Sequence, residues 1–82
     1  MNIGSMTALL ESNREIEFNY KGKDYWLGNE IIDGKKYYCF ACGVESEVDV
    51  PNAAELWNLN ISNEKLGDVL CRMANKGLVN ID

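Results

Sequence analysis

An α+β fold is what this sequence predicts, and three observations carry that expectation. A period-2 apolar alternation starts at Ile16 and is interrupted by two short glycine turns; an apolar helical repeat precedes it, and two further helical stretches follow it. Strands grouped together and helices kept apart from them argue for a mostly antiparallel sheet with helices on one side, not alternating βαβ units. The chain has 82 residues, 46% hydrophobic and 26% charged, with one proline, which makes residues 1–82 a single small domain and not a disordered segment. Folding at this length hides only about 60 to 65% of the extendable surface, so the core is thin and the working surface must be exposed.

Met6, Leu9 and Leu10 recur at helical spacing, with Ser5 or Thr7 available as N-cap and Asn13 as a stop, which predicts a short N-terminal helix. Gly4-Ser5-Met6 has the look of a cloning scar ahead of a native start, and residues 1–5 are given no functional weight. Ile16, Phe18 and Tyr20 then alternate with Glu15, Glu17 and Asn19, the pattern of a strand with one dry and one wet face. Lys21-Gly22 separates this strand from Lys23–Leu27, and Asp33-Gly34 separates Ile31-Ile32 from Lys35–Phe40. Both pairs fit two-residue hairpin loops, in which both central residues need positive φ. Counting back from the turns puts Phe18, Tyr25 and Cys42 in one row and Ile16, Leu27 and Phe40 in the next, on the same face. Two independent turns thus agree on a three-stranded antiparallel meander. The opposite face collects Glu15, Glu17, Asn19, Asp24, Trp26, Glu30, Tyr37, Cys39 and Ala41.

Past Gly43 the alternation continues as Val44-Glu45-Ser46-Glu47-Val48-Asp49-Val50, either as a longer third strand or as a fourth piece after a bend. Pro51 ends it. Asn52 followed by Glu55 reads as an N-cap with its capping-box acid, opening a short helix through Leu59. Ser62 caps a second helix whose Leu66, Val69, Leu70 and Met73 form one stripe, closed by Lys76-Gly77, and Leu78, Val79 and Ile81 make an apolar tail. The expected core is the dry sheet face beneath Leu9, Leu10, Leu56, Leu66, Val69, Leu70 and Met73, so the helical pair and the N-terminal helix pack on that one face.

Thirteen Asp and Glu against eight Lys and Arg give a net charge of −5, the wrong sign for holding phosphate backbones or anionic membranes. No run approaches the roughly 18 apolar residues that span a bilayer, and the N-terminus lacks a secretory pattern, so a cytoplasmic protein is expected. The three cysteines are odd in number, which favours reduced thiols over a disulfide framework.

Cys39-Phe-Ala-Cys42 has metal-knuckle or redox spacing, but there is no histidine, Cys71 is the only other thiol, and residues 39 and 42 of one strand face opposite ways. No metal, no cofactor and no catalytic residue is therefore assigned. The lack of histidine also removes the side chain best suited to proton transfer near neutrality, and a thin domain offers little burial to split the pKa values of a carboxylate pair. A non-enzymatic protein is the expectation.

The segment from Ile61-Ser62 to Lys76-Gly77-Leu78-Val79 resembles the second half of a winged helix-turn-helix, which would make residues 62–76 a recognition helix using Lys65 and Arg72. Glu64 and Asp68 on the same helix are poorly suited to a DNA groove. Over Met6 to Ile81 the chain is loosely similar to small αβββαα proteins of Gram-positive bacteria and their phages. Phe18-Asn19-Tyr20-Lys21-Gly22-Lys23-Asp24-Tyr25 and Glu55-Leu56-Trp57-Asn58, with Ile61, Leu66 and Val69, carry that similarity. It implies a mobile-element origin and no particular activity; anti-CRISPR and DNA-mimic proteins are similar only in size and charge.

From Tyr37 to Asn63 there is no Lys or Arg, while Glu45, Glu47, Asp49 and Glu55 occur. The resulting expectation is an acidic interaction module, such as a phage or mobile-element inhibitor. Trp26 and Tyr37 would be its anchors, and Glu17, Glu45, Glu47 and Asp49 its charges, meeting a basic nucleic-acid-binding surface of a partner protein. The alternatives are a degenerate helix-turn-helix regulator, or a domain that self-associates through its sheet as a homodimer instead of remaining a monomer.

Overall fold

The two glycine turns set the sheet. In the computed structural model, which describes residues 1–44 and 46–82, Lys21 and Gly22 have φ of 51° and 81°, and Asp33 and Gly34 have 52° and 79°. These paired positive values match the twist of the flanking strands and lock a two-residue loop. β1 (Ile16–Tyr20) accordingly pairs antiparallel with β2 (Lys23–Ile32), and β2 with β3 (Lys35–Cys42). Phe18 faces Tyr25 and Tyr25 faces Cys42; Ile16 faces Leu27 and Leu27 faces Phe40, the register obtained by counting from the turns.

The sheet is larger than three strands. Gly43, at φ 63°, ends β3, and β4 (Ser46–Val50) returns antiparallel along it, so the alternation after Gly43 is a separate strand. On the other side β7 (Val79–Ile81) pairs antiparallel with β1, which converts the expected apolar tail into an edge strand and gives the order β4-β3-β2-β1-β7. The α+β class and the meander stand within this five-stranded antiparallel sheet.

α1 (Ile3–Glu11) starts earlier than Ser5 or Thr7 would allow, because the Asn2 side chain accepts from the Ser5 N–H at 2.9 Å and takes the N-cap role. Residues 3–5 are therefore helical, and Ile3 packs against the core. Asn13, at φ 61°, turns the chain out of the helix. The Asn29 side chain reaches across from β2 and donates to the Leu10 carbonyl, tying the end of α1 to the sheet. α2 (Ala53–Trp57) is capped as expected, Asn52 Oδ1 accepting from the Glu55 N–H at 2.9 Å, but it stops before Asn58.

The second helix departs most from expectation. Ser62 and Asn63 both adopt left-handed φ, 49° and 65°, and form the turn of a miniature hairpin, β5 (Asn60–Ile61) with β6 (Glu64–Lys65). α3 (Leu66–Asn75) begins only afterwards and has no side-chain cap. Its end follows the sequence reading: Gly77, at φ 70°, lets the Leu78 N–H return to the Met73 carbonyl at 3.0 Å.

Ile16, Phe18, Leu27 and Phe40 from the sheet meet Met6, Leu10, Leu56, Trp57, Ile61, Leu66, Val69, Leu70 and Met73 in one cluster. Of the expected core residues, Leu9, Tyr25 and Cys42 are half-buried and the rest are buried; Leu9 sits on the flank of α1 while Met6 occupies the inward position. A second polar tie, besides that of Asn29, holds the helical side to the sheet. Glu64 accepts from the Tyr20 hydroxyl of β1 and pairs with Arg72 of α3 at 3.1 Å, while Arg72 also donates to the Tyr20 oxygen at 3.0 Å.

Candidate functional site

Strand alternation fixes what the reverse face of the sheet carries. The registers place Asn80, Glu17, Trp26, Ala41 and Glu47 in one row across β7, β1, β2, β3 and β4. The neighbouring row runs Gly28, Cys39, Asp49, and the next pairs Glu30 with Tyr37. Glu17, Trp26, Tyr37, Glu47 and Asp49 therefore share one face, as the pattern required. Glu45 lies outside the described residues. Among the strand residues of this face the one basic side chain is Lys35, at the hairpin tip.

Trp26 lies down on this surface. A Cβ placed on Gly28 would come within 2.4 Å of indole Cζ2, so the ring occupies the space directly above the glycine. The indole N–H donates to Glu15 Oε1 at 2.7 Å. The ring is thus held over the glycine and half-buried, with its polar handle already satisfied. Beside it is a half-open depression of about 410 Å³ lined by Glu17, Asn19, Asp24, Trp26, Gly43 and Asn80, together with Phe18 and Tyr25. Asn19 donates to Asp24 at 2.9 Å, both side chains being exposed. Carboxylates lining a depression together with an indole suit a cationic side chain, which can gain from both.

The same face is less wet than alternation suggests. Cys39 is fully buried and Ala41 is 8% exposed, although neither points toward the helices. Gly28, Cys39 and Ala41 form a floor of small residues, and the Trp26 indole rests on its glycine. Gly28 opposite Cys39 follows from counting the Asp33-Gly34 register, so that part of the floor is readable from sequence. Asn80 depends on β7, which pattern reading missed.

The carboxylates crowd one another. A hydrogen bond to Asp82, then that residue's charge, hold the Glu17 carboxyl above its ordinary 4.5. Glu47 is likewise raised, chiefly by its hydrogen bond with Asp49. Burial pushes the Cys39 thiol far up from 9.0, with Asp49, Glu30 and Glu47 adding to the effect, so it stays protonated at neutral pH. The thiol of Cys39 and the carboxylates of Glu30, Glu47 and Asp49 place one donor atom each within 4.8 Å of one another. Such a set has the hardness for a borderline divalent ion, which would first have to displace the thiol proton. Cys42 does not join them; it faces the helical side beside Tyr25, and Cys71 is in α3.

Two residues of the helix-turn-helix alternative are placed differently from its needs. Arg72 is held by Glu64 and Tyr20, and Lys65 lies in β6, ahead of α3, donating to Asn58 at 3.2 Å. The helix runs from 66 to 75 instead of from 62 to 76. Among the described residues no helix is long and apolar enough to cross a membrane. No family model matches this sequence, and no curated protein or solved structure matches it either.

Proposed function

We propose that the protein is a non-enzymatic interaction module whose acidic sheet face binds a basic surface of a partner protein. The observation that carries this reading is the depression of about 410 Å³ lined by Glu17 and Asp24 together with the pinned Trp26. An Arg or Lys side chain of the partner enters there, and Glu47, Asp49 and Tyr37 extend the contact along β3 and β4. The indole loses little freedom on binding, because Glu15 and Gly28 already hold it, which lowers the entropic cost of using it as an anchor. The carboxylates speed and orient the encounter.

In its finer form the partner is a nucleic-acid-binding protein, the carboxylates standing in for phosphates in its basic groove, as an inhibitor from a phage or mobile element would do. The test is an amide and indole chemical-shift titration with hexa-arginine. Shifts centred on the Trp26 indole N–H, Glu17 and Asp24, weakening steeply with salt, are expected; shifts on the helical side, or none, would remove the proposal.

A further inference from the structure

The two edges of the sheet are unlike. β7 is three residues long, with Val79 and Ile81 half-buried and its end bonded back to Glu15 through both backbone groups of Asp82. β4 has five residues and is the last strand on its side, with no described strand beyond it. Ser46, Glu47, Val48 and Asp49 are exposed, Val48 by 44%. Natural edges are commonly blunted by charged side chains, Lys above all, by Pro or by a bulge; Ser46–Val50 has no Lys or Pro, and its charges are Glu47 and Asp49, which repel an acidic strand but not a basic one. Its side chains sort by face: Glu47 and Asp49 on the acidic side, Val48 and Val50 on the other.

We infer that β4 is an acceptor edge for an extended basic segment of the partner, which adds as a further strand with Lys or Arg beside Glu47 and Asp49 and apolar residues beside Val48 and Val50. This deepens the acidic-face reading and rests on it. Strand addition supplies affinity through the backbone ladder and selectivity through alternate side chains. A second copy of this chain is the wrong occupant: antiparallel pairing of β4 with itself about Val48 sets Glu47 against the copy's Asp49 on both sides, and like charges directly opposite are destabilising. Alternating cationic and apolar residues reverse the sign of that term.

The test uses three soluble peptides against the whole protein: an alternating Lys-Val peptide, its backbone N-methylated form, and a block Lys-Val peptide of equal composition. The expected result is binding of the first, with slowed amide exchange confined to residues 46–50, and affinity at least about tenfold weaker for the other two, because a ladder needs free N–H groups and matched alternation. Equal binding of the N-methylated or block peptide overturns strand addition while leaving charge recognition by the face intact. Failure of both the alternating peptide and hexa-arginine overturns the two readings together.

Discussion

The two faces of this sheet are made by the same strands, yet they are dry for different reasons. On the helical side Leu27 is fully buried because α1, α2 and α3 cover it. On the reverse side Cys39 is equally buried though it points away from the helices; it pairs with Gly28, over which the Trp26 indole lies. Burial by a packed layer is shared among many contacts, whereas burial by reclining side chains depends on a few hinges. The helical side is therefore where most of the stability resides, and the reverse side offers a partner a surface held by a few contacts.

Truncation exposes the contrast most strongly. Leu27→Ala should cost about 2 to 5 kcal/mol in urea unfolding, the range for an aliphatic side chain in a closed core. Cys39→Ala should cost about 1 kcal/mol, as befits the loss of roughly one buried methylene equivalent. Equal losses at both positions would mean that the reverse face is a second core. Once a partner is in hand, Trp26→Ala should weaken binding by about 2 kcal/mol or more, while Glu47→Ala should mainly slow association and flatten the salt dependence. Comparable small effects would discredit the anchor role of Trp26.

Gly28→Ala sharpens the comparison further. The new methyl displaces the indole, which is free to swing toward solvent, so the stability cost should stay near 1 kcal/mol, the low end for overpacking. The indole should lose its bond to Glu15, red-shifting tryptophan emission in a Trp57→Phe background. An unchanged spectrum would show that the ring does not rest on that glycine.

Acidification gives the smallest effect, with opposite signs in two regions. Glu64 is held below 4.5, first by the Tyr20 hydroxyl and then by Arg72. Its contribution to stability is present above 4.5 and is lost as pH falls through its lowered value. Glu17 and Glu47 are held above 4.5, so the folded protein takes up their protons more readily than the unfolded chain. Their contribution is present at low pH and is lost as pH rises through the raised values. Glu47→Gln should therefore flatten the gain just above pH 4.5, and Glu64→Gln the loss below it, in thermal melts taken across that window.

The register was readable because Lys21-Gly22 and Asp33-Gly34 each contain a glycine where positive φ is needed, and each turn independently selected the same apolar rows. The Ser62-Asn63 turn has no glycine, and Ser62 is equally at home as a helix cap, so local chemistry favoured a longer α3 until tertiary pairing decided. β7 is too short for alternation to register. The face carrying Glu17, Trp26, Tyr37, Glu47 and Asp49 followed from parity alone, but the pose of Trp26 did not, since it depends on an absent side chain at Gly28 meeting a carboxylate from before β1.

Pairing β1 with β7 has a kinetic meaning. β1 lies near the start of the chain, yet its second neighbour is the last strand, and the Met1 amino group also donates to Asn75 at 2.7 Å. A nascent chain that has formed the β1–β2–β3–β4 meander still exposes one side of β1 until residues 79–81 emerge, so the slowest loop to close is also the longest. Without residues 79–81 the sheet is left unfinished on the side opposite β4.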